Sequence, residues 1–226
     1  MHSRRPQAII DLGALNHNFA RVKQLAPASK VLAVLKANAY GHGMLAVAQA
    51  LKHADALGVA RIDEALALRA GGITKPIVLL EGFFHPDELQ LVVASNLQLV
   101  IHHREQAAAL LAARLDAPVR VWLKVDSGMH RLGIYPHEFS GLYQRLSQSR
   151  NVQGPLRLMS HFASSDELDK PATVNQLALF QQITQGSTGE HSLANSGAVL
   201  NWPQSHGDWV RPGLMLYGVS PMADAV

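Results

Sequence analysis

Short apolar runs alternate with segments of helical periodicity along almost the whole chain. A short strand is predicted at residues 8–11, followed by a helix whose apolar positions recur at helical spacing until Pro27. Eight further apolar runs predict strands at residues 31–36, 56–60, 77–81, 98–102, 119–126, 156–162, 192–196 and 214–218. Helical patterns lie between them near residues 43–53, 61–70, 86–94, 103–115, 136–149 and 171–184.

This alternation predicts an α/β fold. Strands that alternate with helices pair in parallel through right-handed crossovers, and eight of them close a (β/α)8 TIM-type barrel. An open doubly wound sheet is the alternative, but the sequence contains no GxGxxG fingerprint at the start of a helix. We therefore expect one barrel domain over residues 1–226, with an extra N-terminal strand within residues 1–12 and an extra helix after it. Residues 199–210 are predicted to be irregular, with one short turn.

Composition narrows the class of protein. Hydrophobic residues make up 48% of the chain, which is enough for a substantial core. The formal net charge is only +3 and the basic residues are dispersed, so no nucleic-acid partner is expected. There is no cysteine, no secretory signal in the opening residues, and no apolar run near the roughly 20 residues of a membrane span. These features predict a cytoplasmic protein without a membrane partner.

Lys36 is the most informative residue because it ends the apolar run 31–35 and is followed directly by ANAYGHG. Burial at the end of a strand disfavours the ammonium form of a lysine. A neutral amine can form a Schiff base with a carbonyl compound or with pyridoxal phosphate. The glycines let the backbone turn tightly and approach a ligand. On placement alone, an ordinary lysine at a strand end remains the alternative.

Polar residues at the predicted strand ends point to one site, because catalytic groups of such barrels lie at the C-terminal ends of the strands. These residues are Lys36, Lys124, Asp126, Arg131, His161, Asn195, Ser196, Arg211 and Tyr217. Their convergence would create a positive cavity suited to a phosphate and a carboxylate. Taken singly, each has a plainer explanation: Lys124 could pair with Asp126, and His161 could be a core histidine. Arg131 could lie on the surface and Arg211 could support a turn. No histidine spacing predicts a metal site.

Several separated motifs resemble those of the alanine racemase family. The two most specific are AVLKANAYGHG at residues 33–43 and KVDSGMHRLG at residues 124–133. The others are GVAR at 58–61 with Glu64 and Ala65, SHFA at 160–163, Asn195-Ser196, WVRPG at 209–213 and LYG at 216–218. The resemblance implies the barrel of the fold-type III pyridoxal-phosphate enzymes. It also implies interconversion of L- and D-alanine for peptidoglycan, by a homodimer.

Matched motif by motif, the resemblance implies a role for each residue that would touch the cofactor. Lys36 would carry pyridoxal phosphate covalently and act as the base on the D-alanine face. Tyr40 and Ser196, with the backbone amides of Gly213 and Leu214, would hold the phosphate.

The remaining residues would orient the cofactor ring and the substrate. Arg211 would hydrogen-bond the pyridine nitrogen, with His161 beside the ring and Asn195 nearby. Arg131 would bind the substrate carboxylate and the phenolic oxygen of the cofactor. Lys124 matches a lysine that many members of the family carry as a carbamate, which would orient Arg131.

The sequence also departs from the family. Members continue past the barrel into a mostly β domain that supplies, across the dimer, a tyrosine acting as the second base. We therefore expect this chain to be the cofactor-binding domain of a truncated racemase, with an unpaired N-terminal strand and little activity alone. A non-catalytic pyridoxal-phosphate carrier and an amino-acid decarboxylase of the same barrel type are the alternatives. The YGHG loop at residues 40–43 argues against both, and the arginine loop at 128–133 argues against the carrier.

Overall fold

Eight parallel strands, each hydrogen-bonded to the next, close into a barrel in the computed structural model, which describes residues 7–222. The strands are β1 (Lys30–Val34), β2 (Ala56–Val59), β3 (Ile77–Leu79), β4 (Leu97–Ile101), β5 (Val119–Lys124), β6 (Val152–Met159), β7 (His191–Ser192) and β8 (Trp209–Val210). Pairing of β8 with β1, in which Val210 lies opposite Val31, closes the ring. The predicted (β/α)8 barrel is confirmed.

Helices surround the barrel, and most of them lie within a few residues of their predicted positions. They are α1 (Leu12–Leu25), α2 (Lys36–Tyr40), α3 (Met44–Ala50), α4 (Ile62–Ala70), α5 (Glu88–Ala94), α6 (Arg104–Ala112), α7 (Phe139–Ser147), α8 (Ala172–Ile183) and α9 (Ser196–Asn201). Three short 3-10 helices occupy Pro136–Glu138, Pro203–Ser205 and Leu214–Tyr217. Within residues 7–222, no helix combines the length and apolar character needed to cross a bilayer.

The barrel interior is packed near the N-terminal ends of the strands. Trp122 and Trp209 meet edge to face at 5.5 Å, and the Arg157 guanidinium lies about 5 Å from both rings. Glu190 pairs with Arg157 at 2.7 Å and accepts a hydrogen bond from the Trp209 indole. Lys30, the first residue of β1, also pairs with Glu190. This layer fills that end, and an open cavity lies at the other end of the barrel.

The eighth strand was predicted in the wrong place. Residues 214–218 were expected to form it, but β8 lies at Trp209–Val210 and Leu214–Tyr217 is a 3-10 helix. The apolar character of this segment has another cause, because it packs against α1, where Asn18 donates a hydrogen bond to the Leu216 carbonyl. Residues 199–210, predicted to be irregular, therefore contain the end of α9, a 3-10 helix and β8.

Three other predicted strands differ. The sixth, expected over residues 156–162, is β6 at Val152–Met159, so it begins four residues and ends three residues earlier. The seventh, expected over residues 192–196, is reduced to His191–Ser192, because the Asn195 side chain accepts the Ala198 amide and starts α9. Residues 7–11 form no strand, so the N-terminal strand predicted at 8–11 is absent there. The earlier part of the predicted segment, residues 1–6, lies outside the described residues. Asp11 instead caps α1 by accepting the Ala14 amide at 2.9 Å. In the described part of the chain no strand pairs with this segment, so it has no ladder to join.

Candidate functional site

A cavity of about 320 Å³ opens at the C-terminal ends of the strands. It is lined by nine of the predicted site residues: Lys36, Tyr40, Arg131, His161, Asn195, Ser196, Arg211, Gly213 and Leu214. Lys124, at the end of β5, is buried and does not line the cavity. Ser165, Asp166 and Gly197 also line it and were not predicted. Ser165 and Asp166 could have been found from their position in the sequence, because they follow the predicted end of the sixth strand within a few residues.

Lys36 opens a turn of left-handed helix. The φ angles of Ala37, Asn38, Ala39 and Tyr40 lie between +52° and +56°. This conformation costs L-residues roughly 1–2 kcal/mol each, so it persists only where the surroundings hold it. The turn places Lys36 and Tyr40 in the same cavity. The sequence predicted a tight turn on its glycines, but not four successive non-glycine residues in this region.

Arg211 follows β8 and is buried without a carboxylate partner among residues 7–222. Its guanidinium donates to the Ser192 hydroxyl at 2.7 Å and to the backbone oxygens of Ser160 and Leu193 at 2.5 and 3.2 Å. Burial lowers the pKa of Arg211 to about 9, so the group is a cation at neutral pH. Uncharged oxygens hold that cation, and its charge is therefore available to an anion in the cavity.

His161 is held in its neutral form. Burial lowers the pKa of His161 well below its ordinary value, and the neighbouring positive charges add to this, with Arg211 contributing most. Its Nδ1 lies 3.2 Å from Nη2 of Arg211. A guanidinium can only donate, so Nδ1 accepts and the ring proton resides on Nε2. His161 therefore supports Arg211 and keeps one N–H donor.

Lys124 has an unusually low pKa, of about 7. Burial is the main cause, and the positive charges of Arg211, Arg131 and Lys36 add to it. The negative charge of Asp126 acts in the opposite direction. A large fraction of Lys124 is thus a neutral amine at neutral pH, which is the form that reacts as a nucleophile.

Asp126 does not form an ion pair with Lys124. Such a pair was the alternative, non-catalytic explanation for Lys124 that the sequence allowed. One carboxylate oxygen of Asp126 accepts the backbone amides of Gly128, Met129 and His130 at 3.0–3.1 Å. The loop is closed by Asp126 donating its amide to the Ile134 carbonyl at 2.9 Å. Asp126 therefore fixes the loop that carries Arg131, and Arg131 reaches the cavity instead of lying on the surface.

The far corner of the cavity is built from backbone and hydroxyl groups. The Ser196 hydroxyl accepts the amides of Gly213 and Met215 at 2.9 and 3.3 Å. A Cβ atom at Gly213 would lie 2.6 Å from the Tyr40 hydroxyl, so any side chain there would push that hydroxyl aside. The Tyr40 ring packs 5.0 Å from the ring of Tyr217, whose hydroxyl donates to the Val34 carbonyl. This corner collects the small donors that a phosphate prefers.

Comparison with known proteins identifies relatives over nearly the whole chain. The family model described as alanine racemase, N-terminal domain, matches residues 10–221. Alanine racemase from Vibrio cholerae serotype O1 is 57% identical over 96% of this chain and 60% of its own length. The biosynthetic alanine racemase of Escherichia coli K12 is 55% identical over the same shares.

Solved structures agree with these relatives. Biosynthetic alanine racemase from Pseudomonas aeruginosa matches with a TM-score of 0.92 and 47% identity, over 96% of this chain and 60% of that one. Alanine racemase from Acinetobacter baumannii matches with a TM-score of 0.88 and 37% identity, over 96% and 61%. The chain spans about 60% of the length of the curated relatives it matches. The chain therefore belongs to the alanine racemase family and corresponds to its N-terminal domain.

Proposed function

We propose that this chain is the cofactor-binding barrel of an alanine racemase, in which Lys36 binds pyridoxal phosphate covalently and moves the α-proton of alanine. The observation that carries the proposal is the meeting of Lys36, Tyr40, Arg131 and Arg211 in one cavity. Lys36 and Tyr40 follow β1, Arg131 follows β5 and Arg211 follows β8, so closure of the barrel brings these three segments together. Action in the cytoplasm, supply of D-alanine for peptidoglycan and assembly as a homodimer belong to the same proposal and rest on the family.

The donor set of the cavity fits pyridoxal phosphate, which has an aldehyde, a phosphate, a phenolic oxygen and a pyridine nitrogen. Lys36, Arg131 and Arg211 line the cavity, and Asp166 is the one acid among its described lining residues. Arg211 in particular is a buried cation without an ion-pair partner in residues 7–222. A cavity with this excess of positive charge favours an anionic ligand.

The phosphate would lie at the corner between Tyr40 and α9. In this proposal its donors are the Tyr40 and Ser196 hydroxyls and the backbone amides of Gly213 and Leu214, and the Gly213 amide would exchange its present acceptor, the Ser196 hydroxyl, for the phosphate. Gly213 supports this assignment, because any side chain there would displace the Tyr40 hydroxyl.

Arg211 is proposed to face the pyridine nitrogen, with Asn195 nearby and neutral His161 fixing the guanidinium from one side. When bound, pyridoxal phosphate supplies an electron sink that weakens the Cα–H bond of an amino acid. Arg211 donates a hydrogen bond to that nitrogen without transferring its proton. By keeping its own proton, Arg211 would leave the ring a weaker electron sink, which would favour return of the proton to Cα over competing reactions.

The reacting end of the site is assigned to Lys36 and Arg131. The Lys36 amine removes and returns the α-proton on one face of Cα, while Arg131 binds the substrate carboxylate. Lys124 is proposed to react with carbon dioxide, since its low pKa leaves the amine nucleophilic. The neutral amine would form an N–C bond to carbon dioxide and release one proton to solvent, which leaves a carbamate anion able to orient Arg131. Racemisation also needs a base on the opposite face, and the proposal places that base outside this barrel.

Reduction with borohydride tests the attachment site. The chain is incubated with pyridoxal phosphate, reduced, digested and mapped by mass. We expect the cofactor on the Lys36 peptide, and none in a Lys36→Ala variant. Lys124 is the sharp internal control, because it is a second lysine with a nucleophilic amine at the same end of the barrel. Cofactor on Lys124, or no cofactor at all, would contradict the proposal.

Proton exchange in heavy water tests the chemistry. With Lys36 as the one base, the chain alone should racemise alanine slowly at most. Rapid loss of the α-proton from both enantiomers, at rates typical of enzymes, would show that a second base is present in the barrel. A chain that takes up cofactor but exchanges neither enantiomer would favour the carrier function instead.

A further inference from the structure

We propose that Glu64 is a positioning residue for Lys36, because its carboxylate holds the left-handed turn at residues 37–40 that presents Lys36 and Tyr40 to the cavity. The inference rests on the proposed function of Lys36. Glu64 lies in the first turn of α4, outside the cavity lining, and among residues 7–222 no hydrogen bond or ion pair joins its carboxylate to the side chain of Lys36 or Tyr40. It acts through the backbone.

Glu64 joins the ends of two neighbouring strands. One carboxylate oxygen accepts the Ala37 amide at 2.6 Å, directly after Lys36. The other accepts the amides of Ala60 and Arg61, at 2.8 and 3.3 Å, just past the end of β2. The last backbone bond between the two strands on this side runs from the Leu35 amide to the Gly58 carbonyl at 2.7 Å. Glu64 therefore extends the connection past the point where the ladder stops.

The other hydrogen bonds of this turn are local within residues 7–222. The Ala39 amide donates to the Leu35 carbonyl, and the Gly41 amide donates to the Ala37 and Asn38 carbonyls. The Asn38 side chain accepts the Met44 amide at 2.9 Å. These bonds stabilise the turn internally, but they do not tie it to the neighbouring strand. The bond from Ala37 to Glu64 does, so it sets where the turn sits relative to the barrel.

A carboxylate is required because three amides share two oxygens. Glutamine at position 64 would offer one acceptor oxygen and turn its NH₂ group toward the remaining donors. Either Ala37 or the pair formed by Ala60 and Arg61 would lose its acceptor. Bonds to a charged acceptor are also stronger than bonds to a neutral one.

Asp63 provides a matched control. It lies in the same first turn of α4 and carries the same charge, but its carboxylate contacts the Arg61 side chain at 3.2 Å. Asp63→Asn removes one negative charge from the helix terminus, as Glu64→Gln does, and leaves the Ala37 amide bonded. A difference between the two variants isolates the contact with Ala37.

The experiment compares the two variants with the wild-type chain by two measurements. Amide hydrogen exchange of residues 37–44, without cofactor, reports whether the turn is held. The dissociation constant of pyridoxal phosphate, from a titration followed by absorbance, reports whether Lys36 is positioned. For Glu64→Gln we expect exchange about tenfold faster and cofactor binding about tenfold weaker, as for loss of one charge-assisted hydrogen bond. Asp63→Asn should leave both unchanged.

A rescue variant separates positioning from general stability. Ala37 is exposed and has a φ of +54°, so Ala37→Gly removes backbone strain without removing packing. Added to Glu64→Gln, it should recover part of the cofactor affinity. Should Glu64→Gln fail to fold, Glu64→Asp keeps the charge and withdraws the carboxylate from Ala37.

The outcomes are distinguishable. Wild-type exchange and affinity in the Glu64 variants would overturn the inference, and so would faster exchange with unchanged affinity, because the turn would then not position Lys36. If the wild-type chain itself takes up no pyridoxal phosphate, the proposed function fails. The exchange comparison would still decide whether Glu64 holds the turn.

Discussion

Replacing Lys124 by methionine should stabilise the barrel at neutral pH. Lys124 is buried, and burial together with neighbouring positive charges lowers its pKa to about 7 from 10.5. At neutral pH the unfolded chain binds a proton at Lys124 more readily than the folded chain does. The pKa difference therefore lowers the free energy of unfolding by about 4–5 kcal/mol. Methionine has a similar length and no charge, so the exchange itself should cost less than about 1.5 kcal/mol.

The direction in which the stability of the wild type changes with pH follows from the lowered pKa of Lys124. Above pH 10.5 the Lys124 amine is neutral in both states, so it contributes nothing. As the pH falls toward 7 the unfolded chain binds a proton that the folded chain does not, and stability falls by about 1.4 kcal/mol per pH unit. The penalty is complete below pH 7. The stability difference between Lys124→Met and wild type should therefore be largest near pH 7 and shrink toward pH 10.

Urea unfolding of both proteins between pH 6.5 and about 10, in buffer free of carbon dioxide, measures this difference. Lys52→Met, at an exposed lysine, controls for the substitution itself. A difference that stays constant across this range would refute the reasoning, because Lys124 would then titrate alike in both states. Adding bicarbonate should stabilise the wild type alone, and its mass should rise by one carbon dioxide. No effect of bicarbonate would contradict the carbamate but not the low pKa.

Two further predictions concern opposite ends of the barrel. Gly213→Ala should weaken binding of pyridoxal phosphate at least about tenfold, because the new methyl group displaces the Tyr40 hydroxyl. By contrast, Gly141 lies in a helix and a Cβ there would meet nothing within 4 Å, so Gly141→Ala should stabilise the chain by about 0.5–1 kcal/mol. Equal cofactor affinity in the two variants would contradict this account of the phosphate corner. Arg157→Met removes the cation between the two tryptophans and leaves Lys30 as the ion-pair partner of Glu190, so it should destabilise the fold by about 1–2 kcal/mol in urea unfolding without changing cofactor affinity. A loss below about 0.5 kcal/mol would show that this ion pair adds nothing to the packing.

The barrel could be predicted because two independent features of the sequence indicate its strands. These features are the apolar composition of the strands and their regular alternation with helices. Runs such as residues 31–35 are buried on both faces, as parallel strands covered by helices must be. The site followed from the same pattern, since polar residues at the strand ends converge once the barrel closes. Arg131 and Arg211 illustrate this, because neither is distinctive alone and both line one cavity.

The eighth strand could not be placed because its signal is too short. β8 has two residues, and the apolar segment at 214–217 after it is longer. Apolar character predicts that a segment is buried, but it does not predict which part of the protein the segment packs against. Here the longer segment packs on α1 and the shorter one closes the barrel. Periodicity cannot separate these two cases over so few residues.

The left-handed turn after Lys36 escaped prediction for a different reason. Local propensity argues against it, because alanine and tyrosine rarely adopt a positive φ. One contact that opposes this propensity comes from outside the turn, the hydrogen bond between the Ala37 amide and Glu64 in the first turn of α4. A conformation that local sequence disfavours and distant residues maintain indicates a functional constraint.

Charge at the cavity follows the same logic. The cations that lower the pKa of His161 and Lys124 repel one another in the protein alone, and this opposes folding. An anion close to these cations relieves that repulsion, so a phosphate or a substrate carboxylate in the cavity, or a carbamate on buried Lys124, would stabilise the barrel. Arg211, held by neutral oxygens, keeps its full charge for that purpose. The same repulsion therefore predicts that an anionic ligand stabilises the barrel when it binds.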